Sequence, residues 1–219
     1  MPRFLILGGT GPSGVLLIRK ALELHPDATI VVYARSPEKI PEDLANNPSI
    51  TLIKGTLEEL DKAEAAVQGV DAVISALGPL TIHPSNTPIA TFYGHLIDYM
   101  DKYNIKRLIV LGTASAKDPN DKFSLQFQAL IIGVRTLANA AYRDIVAIGN
   151  ILRTKGTELD WTMVRVPILT NADTEGVIAG YVGDGKIGTI LSRKAFAAFT
   201  IGEIEKREWV QKAPMISNA

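Results

Sequence analysis

The 219-residue chain contains no cysteine. That absence excludes disulfides, thiolate nucleophiles and Cys-ligated metals. Histidine is scarce, occurring only as His25, His83 and His95. No spacing among these and the acidic residues resembles a metal site. Net charge is also missing, because 23 Lys and Arg balance 23 Asp and Glu. Nothing in that balance favours nucleic acid or an anionic membrane as partner. No apolar run approaches the roughly 18 residues that a membrane helix needs. There is no GxSxG nucleophile elbow. A strand-like run starts at Arg3 and leaves no room for a secretory leader, so a soluble cytoplasmic protein is expected. Repeats, low-complexity stretches and linkers are absent as well. The expectation is one domain over residues 1–219, acting on a small-molecule substrate as a monomer or homodimer.

What is present is alternation. Short apolar runs occur at Phe4–Leu7, Thr29–Tyr33, Ile50–Ile53, Ala72–Ser75, Arg107–Leu111 and Trp161–Val166. They are rich in Val and Ile and apolar on both faces, as strands of a covered parallel sheet must be. Helical patterns separate them at about 13–25, 58–68, 87–104 and 125–155. This order predicts an α/β fold with a doubly wound parallel sheet and right-handed crossovers. In the last helix Leu130, Val134, Leu137, Ala141, Ile145, Ile148 and Leu152 form one apolar stripe, with Gly156 as its C-cap.

The tail reads differently. Asp184-Gly185 between extended residues signals a hairpin over 181–187. Ser192 suits the N-cap of a short helix through about Ile204. Trp209–Ile216 reads as a last extended segment, which Pro214 confines to a sheet edge. Residues after about 168 are expected to form a small substrate-side lobe.

The stretch Arg3-Phe-Leu-Ile-Leu-Gly-Gly-Thr-Gly-Pro-Ser-Gly14 carries the first functional signal. Gly9, Gly11 and Gly14 spell GxGxxG, while Gly8, Gly11 and Gly14 spell GxxGxxG. Either way the chain turns sharply from a strand into an amphipathic helix. Glycine allows that turn and lets a pyrophosphate approach the backbone. The helix start offers free N–H groups and the positive end of its dipole. Ser13 suits the cap and Pro12 the first turn. Strand, glycines and helix together mark a dinucleotide site.

The end of the second strand bears on the choice of dinucleotide. NAD sites usually carry an acid there for the ribose 2′-hydroxyl. Here the residue is Arg35, whose forked donors suit a 2′-phosphate. Ser36 and Lys39 add donors, so NADP(H) is favoured over NAD(H).

Five stretches resemble the atypical short-chain dehydrogenase/reductase group, and within it the NmrA-like and flavin-reductase (biliverdin reductase B)-like branch. They are LGGTGPSG, YARSPEKIP, VQGVDAVISALGP, RLIVLGTASAKDP and LRTKGTELDWTMVRVPIL, the last similar to the group's SGLDWTIVRP run. The resemblance implies a Rossmann-type NAD(P)-binding domain. It puts the working glycines at Gly8, Gly11 and Gly14, with Thr10 in the loop. It implies that Ser75, Ala76, Leu77 and Gly78 pass along the ribose and pyrophosphate. It further implies that Thr113, Ala114 and Ser115 lie near the nicotinamide, with Pro167 and Ile168 lining its pocket. The group's Gly-Asp at the third-strand end is here Gly55-Thr56, a departure on the adenine side.

A second departure concerns chemistry. The superfamily's Tyr-x-x-x-Lys pair, which moves the proton in hydride transfer, occurs nowhere; counting back from the sixth strand puts its positions at Ala141 and Ile145. Asp144 then stands first as a remaining acid or base, with Tyr142 beside it; the competing reading is a surface network of Asp144 with Arg143. Thr113 and Ser115 are either catalytic or loop caps. Arg165 in the sixth strand is expected to pair with a carboxylate. The loop Leu80–Pro88, with His83, is either a lid over the nicotinamide or plain surface. The resulting expectation is an NADP(H)-dependent reductase for a bulky planar or apolar molecule. The alternatives are a non-redox isomerase or cyclase on the same fold, or an NADP sensor.

Overall fold

The computed structural model describes residues 1–79 and 82–219. The chain runs β1 (Arg3–Leu7), α1 (Pro12–Leu24), β2 (Thr29–Ala34), α2 (Glu42–Ala45), β3 (Ile50–Lys54), α3 (Leu60–Val67), β4 (Ala72–Ser75) and α4 (Pro88–Lys102). It continues through β5 (Arg107–Thr113), α5 (Leu125–Leu137), α6 (Asn139–Thr154), β6 (Asp160–Val166) and β7 (Ile168–Thr170). The last elements are β8 (Val177–Gly180), β9 (Ile190–Ser192), α7 (Arg193–Lys206) and β10 (Met215–Asn218).

Among the described residues, eight strands form one sheet in the order β3-β2-β1-β4-β5-β6-β10-β8, and β7 pairs with β9 apart from it. All pairs in the large sheet are parallel except β10 with β8. The strand order reverses between β1 and β4, which opens a crevice at their carboxyl ends. Both faces are covered, as the two-sided apolar strands require. Phe4 and Ile6 of β1 join the side covered by α1 and α7, while Leu5 and Leu7 join the side covered by α3, α4 and α6. The period-two alternation of side chains puts neighbours in one strand on opposite sides. Each fully buried Leu or Ile contributes about 1.5–3 kcal/mol, so both layers are held chiefly by apolar burial.

Three expectations about the later chain are corrected. The helix read as continuous over 125–155 is two helices. Ala138 leaves the helical region at φ −140° and ψ 55°, and the chain restarts at Asn139. The stripe is interrupted with it: Ala141, Ile145, Ile148 and Leu152 are buried, but Val134 and Leu137 are exposed. The Asp184-Gly185 turn forms without a hairpin around it. The Asp184 carboxylate accepts from the Tyr181, Lys186 and Ile187 N–H groups, yet the strands on either side pair elsewhere, β8 with β10 and β9 with β7. Pro214 does not confine the last strand to an edge. It stands before β10, where no ladder N–H is required, and β10 lies between β6 and β8.

Other local readings match. The Ser192 hydroxyl accepts from Ala195 N–H at 2.9 Å and caps α7. Arg165 pairs with a carboxylate: its guanidinium, fully buried, donates to both oxygens of Asp121 at 2.6 and 2.7 Å. Asp121 also accepts from Val182 N–H, tying the β5–α5 loop to the turn after β8.

Candidate functional site

The loop after β1 is shaped by contacts that only glycine allows. Gly8 has φ +72°, and a Cβ there would stand 2.9 Å from the backbone of Ala76 and Leu77 beyond β4. The two chain segments therefore touch across the crevice. Gly14 is turned inward beneath the loop, where a Cβ would collide with the Gly8 carbonyl oxygen. Gly11 differs, because a Cβ there would meet nothing nearer than the Gly8 carbonyl oxygen at 3.6 Å. The fold leaves that position free, and it faces the groove. Gly11 is the N-cap of α1 and Pro12 its first residue. No side chain caps this helix, so Ser13 does not play the expected role. It lies inside the first turn, with the N–H groups there left for a ligand.

A groove of about 640 Å³ crosses the carboxyl ends of β1, β2 and β4. Gly8, Thr10 and Gly11 line its centre. Arg35, Ser36 and Lys39 line the end beyond β2, and Ala76, Leu77 and Gly78 the side beyond β4. Pro12, Ser13, Gly14, Thr113, Pro167 and Ile168, the other residues expected at the cofactor, are not among its lining residues. Gly14 packs beneath the loop, Pro12 is exposed, and Ile168 is exposed in β7.

The far end is rigid. Tyr33, nearly fully buried, donates to the Thr56 and Glu59 carbonyl oxygens at 2.6 and 3.2 Å. The Glu59 carboxylate in turn accepts from Thr56 N–H at 2.8 Å. Burial first, and then Glu59, Asp61 and Glu58, push the Tyr33 phenol up to about 12. Gly55 is explained by this packing, because any side chain there would enter the Tyr33 ring. Among the described residues no carboxylate pairs with Arg35 or Lys39. Two cations with no carboxylate partner among the described residues thus line the same groove, four positions apart in sequence.

The near end is held by a buried polar set. Tyr93 of α4 donates to the Ser75 hydroxyl at 2.6 Å, and that hydroxyl accepts from Leu77 N–H at 3.1 Å. Burial raises the Tyr93 phenol far above its ordinary range. Asp144 of α6 is fully buried, so the surface network with Arg143 is not formed. Its carboxylate accepts from Ile89 N–H at 3.1 Å and Ala90 N–H at 2.8 Å, capping α4 from another helix. The same carboxylate lies 2.6 Å from His83 Nε2. His83 lines the groove; Leu80 and Thr81 of the same loop lie outside the described residues.

The remaining candidates stay apart from this set. Thr113 Oγ1 accepts from Ser115 N–H at 3.3 Å, a loop-capping contact, and Ser115 is buried. Tyr142 is half-buried, with the Arg135 guanidinium 5.9 Å from its ring centre. No hydrogen bond among the described residues joins Asp144 to Thr113, Ser115 or Tyr142. Ala141 and Ile145 are buried, part of the apolar packing. Among the described residues no three His, Asp or Glu converge as metal ligands, and no helix is long and apolar enough to cross a membrane. The His83–Asp144 contact escaped the sequence reading: each residue stood out alone, but nothing local links positions 61 apart.

The profile of the NAD(P)H-binding family matches residues 8–207. Isoeugenol synthase 1 of Clarkia breweri is 33% identical over an alignment of 93 residues that covers 39% of this chain and 28% of that protein. The chain thus aligns with little more than a quarter of that relative's length. A short-chain dehydrogenase/reductase from Veillonella parvula, solved in complex with NADP, superposes with a TM-score of 0.82 at 18% identity, over 99% of this chain and 94% of that one. A Rossmann-fold NAD(P)-binding family protein from Shigella flexneri gives 0.74 at 21% identity, over 100% and 94%. At such identities the superpositions speak for the fold.

Proposed function

The chain belongs to the NAD(P)H-binding family, and from that premise we propose that it is an NADP(H)-dependent reductase of the atypical short-chain type. Its substrate is a bulky planar or apolar small molecule. The observation that carries the cofactor choice is the rim beyond β2, where Arg35 and Lys39 have no carboxylate partner among the described residues and Ser36 lies between them. A guanidinium and an ammonium without carboxylate partners bind a 2′-phosphate more strongly than a bare ribose hydroxyl. The groove fits the rest of a dinucleotide. Gly11 leaves space at the α1 N-terminus for the pyrophosphate, and Ala76, Leu77 and Gly78 offer backbone along the ribose.

A bound reduced nicotinamide supplies hydride. The chain's own residues bind the phosphates, orient the dinucleotide and exclude water. The partial match to a relative named for making isoeugenol supports a small organic substrate. Apolar Ile82, Pro84 and Pro88 beside the groove agree with it.

Calorimetric titration with NADPH and NADH tests the cofactor. Arg35→Asp is expected to weaken NADPH by at least about tenfold and NADH far less; equal loss of both rejects the 2′-phosphate role. A screen of flavin and quinone-like acceptors, followed at the nicotinamide absorbance, tests turnover. Binding without oxidation of NADPH by any acceptor transfers the assignment to the non-redox isomerase or cyclase, or to the sensor.

A further inference from the structure

His83 and Asp144 form a pair that the family resemblance did not point to, and we propose that His83 is the acid–base group of the site, with Asp144 as its positioning residue. The proposal rests on the reductase reading above. Of the three histidines, His83 alone lines the groove. His25 packs on the Phe4 ring at 5.2 Å, and His95 lies in the middle of α4.

The geometry fixes which ring nitrogen is used. Asp144 already accepts from two backbone N–H groups at the start of α4, where the helix dipole favours a carboxylate anion. An anion of that kind only accepts, so the His83 Nε2 at 2.6 Å carries the hydrogen and donates it to Asp144 Oδ2. Among the described residues no hydrogen bond engages Nδ1, and His83 lines the groove, so we assign Nδ1 the proton exchange there. Asp144 is itself held at both oxygens, and its side chain is fully buried while that of His83 is 7% exposed. The pair therefore holds the imidazole in one orientation and one tautomer, as a carboxylate does for a catalytic imidazole elsewhere.

This supplies the proton that Ala141 and Ile145 do not. Hydride from a bound NADPH would bring two electrons to a carbonyl or quinone acceptor and leave one negative charge on its oxygen. The imidazolium Nδ1–H gives its proton to that oxygen, and neutral His83 takes a proton back from water. The sum is acceptor, NADPH and one proton going to reduced acceptor and NADP⁺. The ionisable groups around His83 are Asp144 in direct contact and Tyr93 in α4, with Tyr33, Arg35, Lys39 and Glu58 along the groove.

Histidine-labelled full-length protein, observed by nitrogen-15 NMR, gives a readout that needs no substrate. His83, assigned by the signals lost in His83→Gln, is expected as the Nε2–H tautomer, and its signals are expected to move when NADP⁺ is added while those of His25 and His95 stay. An Nδ1–H tautomer, or signals unmoved by saturating NADP⁺, overturns the proposal. Glutamine can still donate to Asp144, so His83→Gln keeps the clasp and removes only the exchangeable proton. With an acceptor that turns over, kcat is expected to fall roughly 10²–10⁴-fold and one limb of the pH profile to vanish. NADPH affinity should remain within about twofold. An unchanged profile reduces His83 to a loop clasp. Wild-type protein that fails to bind NADPH rejects the reductase reading itself; binding with His83 unmoved rejects this inference alone.

Discussion

Gly14 lies so close beneath Gly8 that a Cβ at position 14 would overlap the Gly8 carbonyl oxygen and stand 2.6 Å from the Gly9 Cα. A Cβ at Gly11, between them in sequence, would meet nothing nearer than the Gly8 carbonyl oxygen at 3.6 Å. The three glycines of one motif therefore do different work. Gly14→Ala is expected to lose about 3 kcal/mol in urea unfolding, because backbone atoms have to move. Gly11→Ala is expected to stay within about 1 kcal/mol of the parent. Its NADPH affinity should nevertheless drop by at least about tenfold, since the methyl enters the space of the pyrophosphate. Parent-like NADPH binding by Gly11→Ala would move the dinucleotide away from this loop.

The break at Ala138 makes a contrast within one apolar stripe. Leu137 is 88% exposed and Ile145 is 2% exposed. Leu137→Gln should change stability by less than about 0.5 kcal/mol. Ile145→Ala should lose about 2–5 kcal/mol, by removing buried methyl groups and leaving a cavity between α6 and the sheet. Chemical denaturation of the two variants decides between one helix and two: a loss at Leu137 as large as that at Ile145 would restore the continuous helix.

These two cases show where the sequence is legible. The strands β1 to β6 announce themselves through local composition, because a strand covered on both faces has to be apolar throughout. The phosphate loop is equally local, with all its glycines within seven residues. The α5–α6 break is hidden for the converse reason. Neither Gly nor Pro stands at Ala138, and the apolar spacing runs straight through it; packing decides where the chain turns. The Asp184 turn is local and forms, but its strands find partners at long range. His83 with Asp144 and Arg165 with Asp121 are likewise long-range pairs. His83, Asp144 and Arg165 are conspicuous in the sequence and Asp121 is not, and which of them pair is fixed only by the fold.

Tyr33 gives stability an alkaline limit. Its phenol is pushed from 10.0 up to about 12, by burial and by the carboxylates of Glu59, Asp61 and Glu58. The folded value lies above the unfolded one, so the folded state holds this proton more tightly. Its contribution is complete below pH 10 and is lost as the pH rises from there through about 12. Tyr33→Phe is expected to lose about 1 kcal/mol at neutral pH with its hydrogen bonds to Thr56 and Glu59. Its unfolding midpoint should then decline less steeply above pH 10 than that of the parent. Both proteins keep the other tyrosines, so the difference between the two slopes is the measurement. Equal slopes would show that Tyr33 ionises without cost to the fold.

Arg165 and Asp121 decide how firmly the last third of the chain is attached. The guanidinium is wholly buried, donates to both Asp121 oxygens, and also donates to the Ala213 and Ala116 carbonyl oxygens at 2.7 and 3.1 Å. Asp121 Oδ1 holds Val182 N–H at 3.1 Å. Four segments thus meet at one cation: β6, the loop after β5, the turn after β8 and the approach to β10. Removing either partner leaves a buried charge alone, so Arg165→Met and Asp121→Asn should each lose about 3–5 kcal/mol. The double variant should lose less than the sum, because the second change removes the stranded charge. Hydrogen exchange at Val182 adds a local reading: Asp121→Asn should speed it well beyond what the global stability loss accounts for. Additive losses with Val182 still protected would mean that apolar packing of β8 and β10, rather than this ion pair, holds the segment against the sheet.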